Sequence, residues 1–127
     1  MTLQEQMINE LKEKEIFKQA KTYAFDYLDK IEEKDVYPSD KNLELLQILH
    51  EELKTESSNP KDILELLHKV GSHGTVTHTG GRYFGFIIGG AIPISLATKW
   101  LADIWDQCGG LYVSSPLNAE LEMICER

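Results

Sequence analysis

The sequence is short of cysteine, short of basic charge and without a long apolar run, and each shortage removes a class of protein. Only Cys108 and Cys125 occur in 127 residues. That is too few to staple a small secreted domain, so a reducing, cytoplasmic compartment is the expectation. The 13 Lys and Arg are outnumbered by 21 Asp and Glu, for a formal net charge of -8. With no basic cluster interleaved with aromatics, neither nucleic acid nor an anionic membrane is an expected partner. The longest apolar stretch, residues 83–96, is interrupted by glycines, a proline and a serine, and is too short to span a bilayer. The opening "MTLQEQMINELKEKE" is polar and acidic, unlike a signal or transit peptide.

What is present divides into two halves. Residues 1–70 are charged, leucine-rich and helical in pattern, and residues 71–127 hold both tryptophans and all nine glycines. The expected class is mainly α. "TLQE" reads as a capping box, with Thr2 at the N-cap and Glu5 three places on. Leu3, Met7 and Leu11, then Phe17, Ala20, Ala24, Leu28 and Ile31, form an apolar stripe that shifts at the solvated patch "KEKE". One helix is expected to end before "DVYPSD", where Pro38 cannot continue it. A second follows Ser39 or Asp40, with Leu43, Leu46, Leu49 and Leu53 inward. A third starts at Asn59 and Pro60 and ends at Gly71.

"SHGTVTHTGG" reads as an exposed loop and "RYFGFII" as a short extended segment, with a bend at Gly89 and Gly90. A fourth helix starts near Pro93, carries Leu96, Trp100, Leu101, Ile104 and Trp105, and stops at Gly109 and Gly110. Residues 111–114 are expected to be extended. Ser115 and Pro116 open a last helix whose stripe, Leu117, Leu121 and Ile124, reaches Arg127 with no closing element. An apolar stripe needs a partner surface, so the chain is expected to be a piece of something longer.

Little here performs chemistry unaided. His50, His68, His73 and His78 lack the companion ligands and spacing of a metal site. "FGFIIGGAIP" is neither a P-loop nor GxGxxG. Cys108 has no neighbour that would lower its pKa, and Cys125, within a helix, is expected to be buried. Asp103 and Asp106 fall on the wet side of the fourth helix.

The second half nevertheless resembles a known family. "RYFGFIIGGAIPISLATKWLADIWDQCGGLYVSSPLNAELE" is similar to the N-terminal region of the group II pyridoxal-5'-phosphate-dependent decarboxylases, which act on aromatic amino acids, glutamate, tyrosine or diaminobutyrate. The resemblance rests on Tyr83 and Phe84 with Gly85 and Phe86, on Gly89, Gly90 and Ala91, on Pro93, on Trp105, Asp106 and Gln107, and on "SSPLNAELE". It is weaker before residue 80, where "VYP" at residues 36–38 and a histidine-bearing loop fit the family's opening.

The resemblance implies the helical front end of a fold-type I enzyme, truncated before the large α/β domain. Residues 1–70 would then be an N-terminal arm and dimer-contact region, and residues 71–127 a pocket wall leading toward that domain. The substrate pocket would take His78, Phe86, Ile87, Ile88 and Gly89. Cys108, Gly109, Gly110, Leu111 and Tyr112 would reach the partner subunit's active site in a homodimer. Pyridoxal phosphate would act as electron sink while an amino acid loses carbon dioxide and becomes an amine. The family's catalytic and cofactor-binding residues, including its Schiff-base lysine, lie downstream of such a segment. "LHK" at residues 67–69 lacks that lysine's flanking residues, so this chain by itself would bind no cofactor and catalyse nothing. The competing expectation is a non-catalytic interaction module that uses the apolar face of Trp100 and Trp105.

Overall fold

The computed structural model describes residues 1–52 and 55–127, and Leu53 therefore lies outside the described residues. The protein is mainly helical, with 58% helix and, among the described residues, no strand. It divides into two compact units, Met1–Gly90 and Ala91–Arg127. The compositional change near residue 70 is thus not where the contacts divide, because residues 71–90 pack within the first unit.

In the first unit α1 spans Leu3–Glu13. Its capping box is complete: Thr2 Oγ1 accepts from the Glu5 N–H at 3.2 Å and Glu5 Oε2 accepts from the Thr2 N–H at 2.8 Å. The expected single long helix is broken at Lys14, which sits left-handed with φ 61°. Helix α2, Glu15–Asp29, begins immediately afterwards. This break accounts for the stripe's change of phase at "KEKE". The partly covered face of α2 carries Ile16, Gln19, Tyr23 and Tyr27, with Ala24 of the expected stripe also partly covered, whereas Phe17, Ala20 and Leu28 are exposed. The covered face is chosen by packing against α4, Pro60–Lys69. Gln19 Nε2 donates to the Lys61 carbonyl at 3.0 Å, and Tyr23 stacks on His68 with centroids 4.0 Å apart. These contacts advance together along both helices, so α2 and α4 run side by side in the same direction.

Helix α3 is short, Asp40–Leu45, capped by Ser39, and tightens into a 3-10 turn over Leu46–Leu49. Leu43 and Leu46 are partly covered and Leu49 is exposed. Asn59 caps α4 through Oδ1, which accepts from the Lys61 N–H at 3.0 Å, and Pro60 occupies the first turn as expected. A second 3-10 turn, Gly71–Gly74, follows. It lies so close to Leu46 that a Cβ on Gly74 would stand 2.6 Å from Leu46 Cδ2.

Among the aliphatic and aromatic residues described, Ile31 and Val70 are buried, as is Pro38. At about 1.5–3 kcal/mol for each buried side chain, this is a thin core. Hydrogen bonds supplement it. "SHGTVTHTGG" is not a loose loop, since Thr77 is buried and its N–H donates to the Val36 carbonyl at 3.1 Å. The Gly81 N–H reaches Glu32 Oε1 at 3.3 Å, and the Arg82 guanidinium donates to the Lys34 carbonyl.

The second unit holds α5, Pro93–Trp105, and α6, Pro116–Cys125. Helix α5 ends before the glycines expected to stop it, at Asp106 in a left-handed conformation. Residues 111–114 form a turn rather than an extended segment, with the Ser114 and Ser115 N–H groups both donating to the Leu111 carbonyl at 3.1 Å. Ser115 is fully buried, and its Oγ caps α6 by accepting from the Asn118 N–H at 3.3 Å. Both cysteines are exposed, against the expectation for Cys125. It lies in the last turn of α6, and among the described residues of this unit no apolar side chain is buried. Asp103 and Asp106 are exposed.

Candidate functional site

Residues 78–90 form a closed loop. The His78 carbonyl accepts from the Gly90 N–H at 2.9 Å, which ties the two ends together. Inside it, the His78 and Tyr83 rings meet edge to face, centroids 4.5 Å apart at 71°. Gly89 completes the closure. Its φ is 113°, and a Cβ there would lie 2.9 Å from both the His78 carbonyl oxygen and Tyr83 Cδ1. Only glycine takes that backbone in that space. His78 and Gly89, expected from the resemblance to share a pocket, are thus brought together, with Tyr83 as the third member.

Phe86, Ile87 and Ile88 are placed differently from the extended wall expected of them. Residues 85–88 form a turn in which the Ile88 N–H donates to the Gly85 carbonyl at 3.0 Å. Phe86 and Ile87 occupy its two central positions with φ 53° and 55°. Two positive φ values in succession are the pattern of a type I′ turn, which favours Asn and Gly. Here a phenylalanine and a β-branched isoleucine hold it, at a cost of about 1–3 kcal/mol each. Their side chains are 90% and 108% exposed, so packing does not repay that cost.

Cys108, Gly109, Gly110, Leu111 and Tyr112 lie in the connection between α5 and α6, all exposed. Ser114 Oγ donates to the Cys108 carbonyl at 2.8 Å, and a Cβ on Gly109 would come within 2.9 Å of Asn118 Nδ2. The segment is therefore a shaped turn that presents Leu111 and Tyr112 outward. On α5, Trp100 and Trp105 are 45% and 49% exposed, beside exposed Leu101 and Ile104.

The lysine of "LHK" does not fit the Schiff-base lysine of a pyridoxal phosphate site. A Schiff base needs a neutral amine in a sheltered site. Lys69, the lysine of "LHK", is exposed on α4 and ion-paired with Glu65, which raises its pKa and keeps it an ammonium. Among the described residues, no group of three or more His, Cys, Asp or Glu is placed to hold a metal ion. No helix of the described residues is long and apolar enough to cross a membrane.

The sequence reading passed over a second cluster, where the last turns of α2 and α4 meet. His68 Nε2 lies 3.5 Å from Asp26 Oδ2, and Lys30 Nζ lies 2.5 Å from Asp26 Oδ1. The Lys30 hydrogen bond, opposed by some desolvation, holds the Asp26 carboxyl below its ordinary pKa. Spacing offered one signal: Tyr23, Asp26, Lys30 and Lys34 recur at three and four residues. Comparison with protein-family models, with curated proteins and with solved structures returns no match to this chain.

Proposed function

We propose that this chain is the N-terminal segment of a pyridoxal-phosphate-dependent amino-acid decarboxylase, and that loop 78–90 is part of the substrate pocket wall in the longer polypeptide. The observation that carries the reading is the strained turn at Phe86 and Ile87, closed onto His78 through Gly89 and Gly90. Unfavourable backbone held without compensating burial is characteristic of ligand-contacting segments. It occurs here at the residues that the family resemblance assigns to substrate. In this reading Phe86, Ile87 and Ile88 supply an apolar wall that excludes water, which matters where a carbanion must be protonated at one place only. His78, its ring set by Tyr83, offers a polar group at the wall's edge. Residues 108–112 approach a partner subunit in a homodimer. The lysine and the other groups that hold the cofactor belong to the remainder of the polypeptide, and the 127-residue chain alone is inactive. The enzyme works in the cytoplasm, without nucleic-acid or membrane partners.

The test is carbon dioxide release from amino acids by the longer polypeptide, supplied with pyridoxal phosphate. Ile87→Asp, at a side chain that packs against nothing in this chain, should abolish it while leaving helical content intact. Unchanged turnover would remove the loop from the pocket.

One observation favours a second reading, an interaction module without catalysis. The second unit buries no apolar side chain among its described residues, while Trp100, Leu101, Ile104 and Trp105 stand exposed on α5. A face of that kind marks a contact surface. The two readings differ in whether an amine is formed.

A further inference from the structure

The cleft between the last turns of α2 and α4 stands apart from loop 78–90 and is unused by the proposed function. It encloses about 180 Å³ and is lined by Lys30, Lys34, Lys69, His68, His73 and Asp26, with Tyr27 and Ser72 between them. In a chain of net charge -8, its lining gathers three lysines and two histidines around one carboxylate.

Its partners set its charge. Asp26 sits against Lys30, and Glu65 takes Lys69 from outside the cleft. Lys34 is partly covered and holds its ammonium over the Tyr27 ring at 5.1 Å. Glu33 and Asp35 line the adjoining hollow rather than this cleft. Each of the two helix C-termini adds roughly half a negative charge. Three lysines against two carboxylates and two helix ends leave a site near neutrality while the histidines are uncharged. Protonating His68 and His73 leaves a surplus of about two positive charges, since imidazole is the side chain that gains charge between pH 8 and 5. The hydroxyls are already committed, Tyr27 to Thr75 at 2.8 Å and Ser72 to the His68 carbonyl at 2.5 Å, so lysine and imidazole N–H groups are the available donors.

We propose that this cleft binds a small tetrahedral dianion of the phosphate or sulfate class, and holds it only when His68 and His73 carry protons. Anion binding and histidine protonation then reinforce one another, as linkage requires.

Sulfate is the suitable probe because its own charge does not change over the range. Amide and imidazole NMR shifts would be followed during sulfate titration at about pH 6 and about pH 8, with sodium chloride at equal ionic strength as control. Saturable shifts confined to residues 26–34 and 68–73 are expected at the lower pH, and their loss at the higher. His73→Gln, at an exposed position, and Lys34→Gln, at a partly covered one, should each weaken binding about twofold to fivefold, the size of one exposed ion pair. His73→Gln should also flatten the pH dependence. Equal responses to sulfate and chloride, or binding indifferent to pH and to both variants, would overturn the proposal.

Discussion

Replacing Gly89 with alanine perturbs the loop at its closure, and Gly90→Ala supplies an internal comparison. At Gly89 the added Cβ meets the His78 carbonyl oxygen and Tyr83 Cδ1, each at 2.9 Å, on a backbone with φ 113°. A left-handed conformation costs an L-residue about 1–2 kcal/mol, and overpacking adds about 1–3 kcal/mol. Restricting the unfolded chain returns about 0.4–1 kcal/mol. The net loss is about 2–3 kcal/mol. At Gly90, φ is 70° and nothing lies within 4 Å of the added atom. Only the conformational cost applies there, and the net loss is about 0.5–1 kcal/mol. The assay is hydrogen exchange at the residue 90 amide, which donates to the His78 carbonyl at 2.9 Å. In Gly89→Ala that amide should exchange about thirtyfold faster or more, and in Gly90→Ala no more than about fivefold faster, since 1.4 kcal/mol is about a factor of ten. Equal exchange in the two variants would refute the close approach of Gly89 to His78 and Tyr83.

Other expectations follow from the same geometry. Ile87→Asn should stabilise the first unit by about 1 kcal/mol, because asparagine tolerates positive φ and the isoleucine buries nothing; a lower melting temperature would contradict the strain. Ser115→Ala removes a buried cap and should cost about 1 kcal/mol, read as loss of amide protection in the first turn of α6. Glu15, Asp26 and Glu65 all have pKa values lowered by hydrogen bonds to Lys18, Lys30 and Lys69 respectively. A depressed folded-state pKa gives stability that is present above the unfolded value and lost as pH falls through the folded one. Acid should therefore loosen the first unit below about pH 4, and Asp26→Asn should shallow that dependence in a urea melt. With Ile31, Val70 and Pro38 as the buried apolar residues among those described, the isolated chain should melt at low temperature or self-associate; a sharp, cooperative monomer melt would contradict the thin core.

The helix starts were legible in the sequence because a cap is decided within four residues. Thr2 with Glu5, Asn59 with Pro60 and Ser115 with Pro116 each announce a start that the structure contains. Features set by distant partners were not legible. The covered face of α2 follows the stack of Tyr23 on His68, 45 positions apart in the chain; of the stripe read from spacing, Ala24 and Ile31 are covered, while Phe17, Ala20 and Leu28 are exposed. Lys14 and Asp106 adopt left-handed backbone without being glycine, so the glycine rule placed the end of α5 too late. The apolar, β-rich composition of "RYFGFII" suggested an extended segment. The hydrogen bond from Gly90 to His78 instead closes a loop whose ends lie 12 residues apart, and periodicity carries no trace of it. For the candidate site, family resemblance singled out His78 and Gly89, and the structure added Tyr83 between them.

The central claim is that loop 78–90 serves an enzyme larger than this chain. The most direct measurement is the size of the polypeptide that an antibody against residues 1–70 detects in the source cell. A product several times heavier than 14.5 kDa, releasing carbon dioxide from an amino acid once purified, is the result predicted here. A product of 14.5 kDa alone would contradict the decarboxylase reading and turn attention to the Trp100 and Trp105 face.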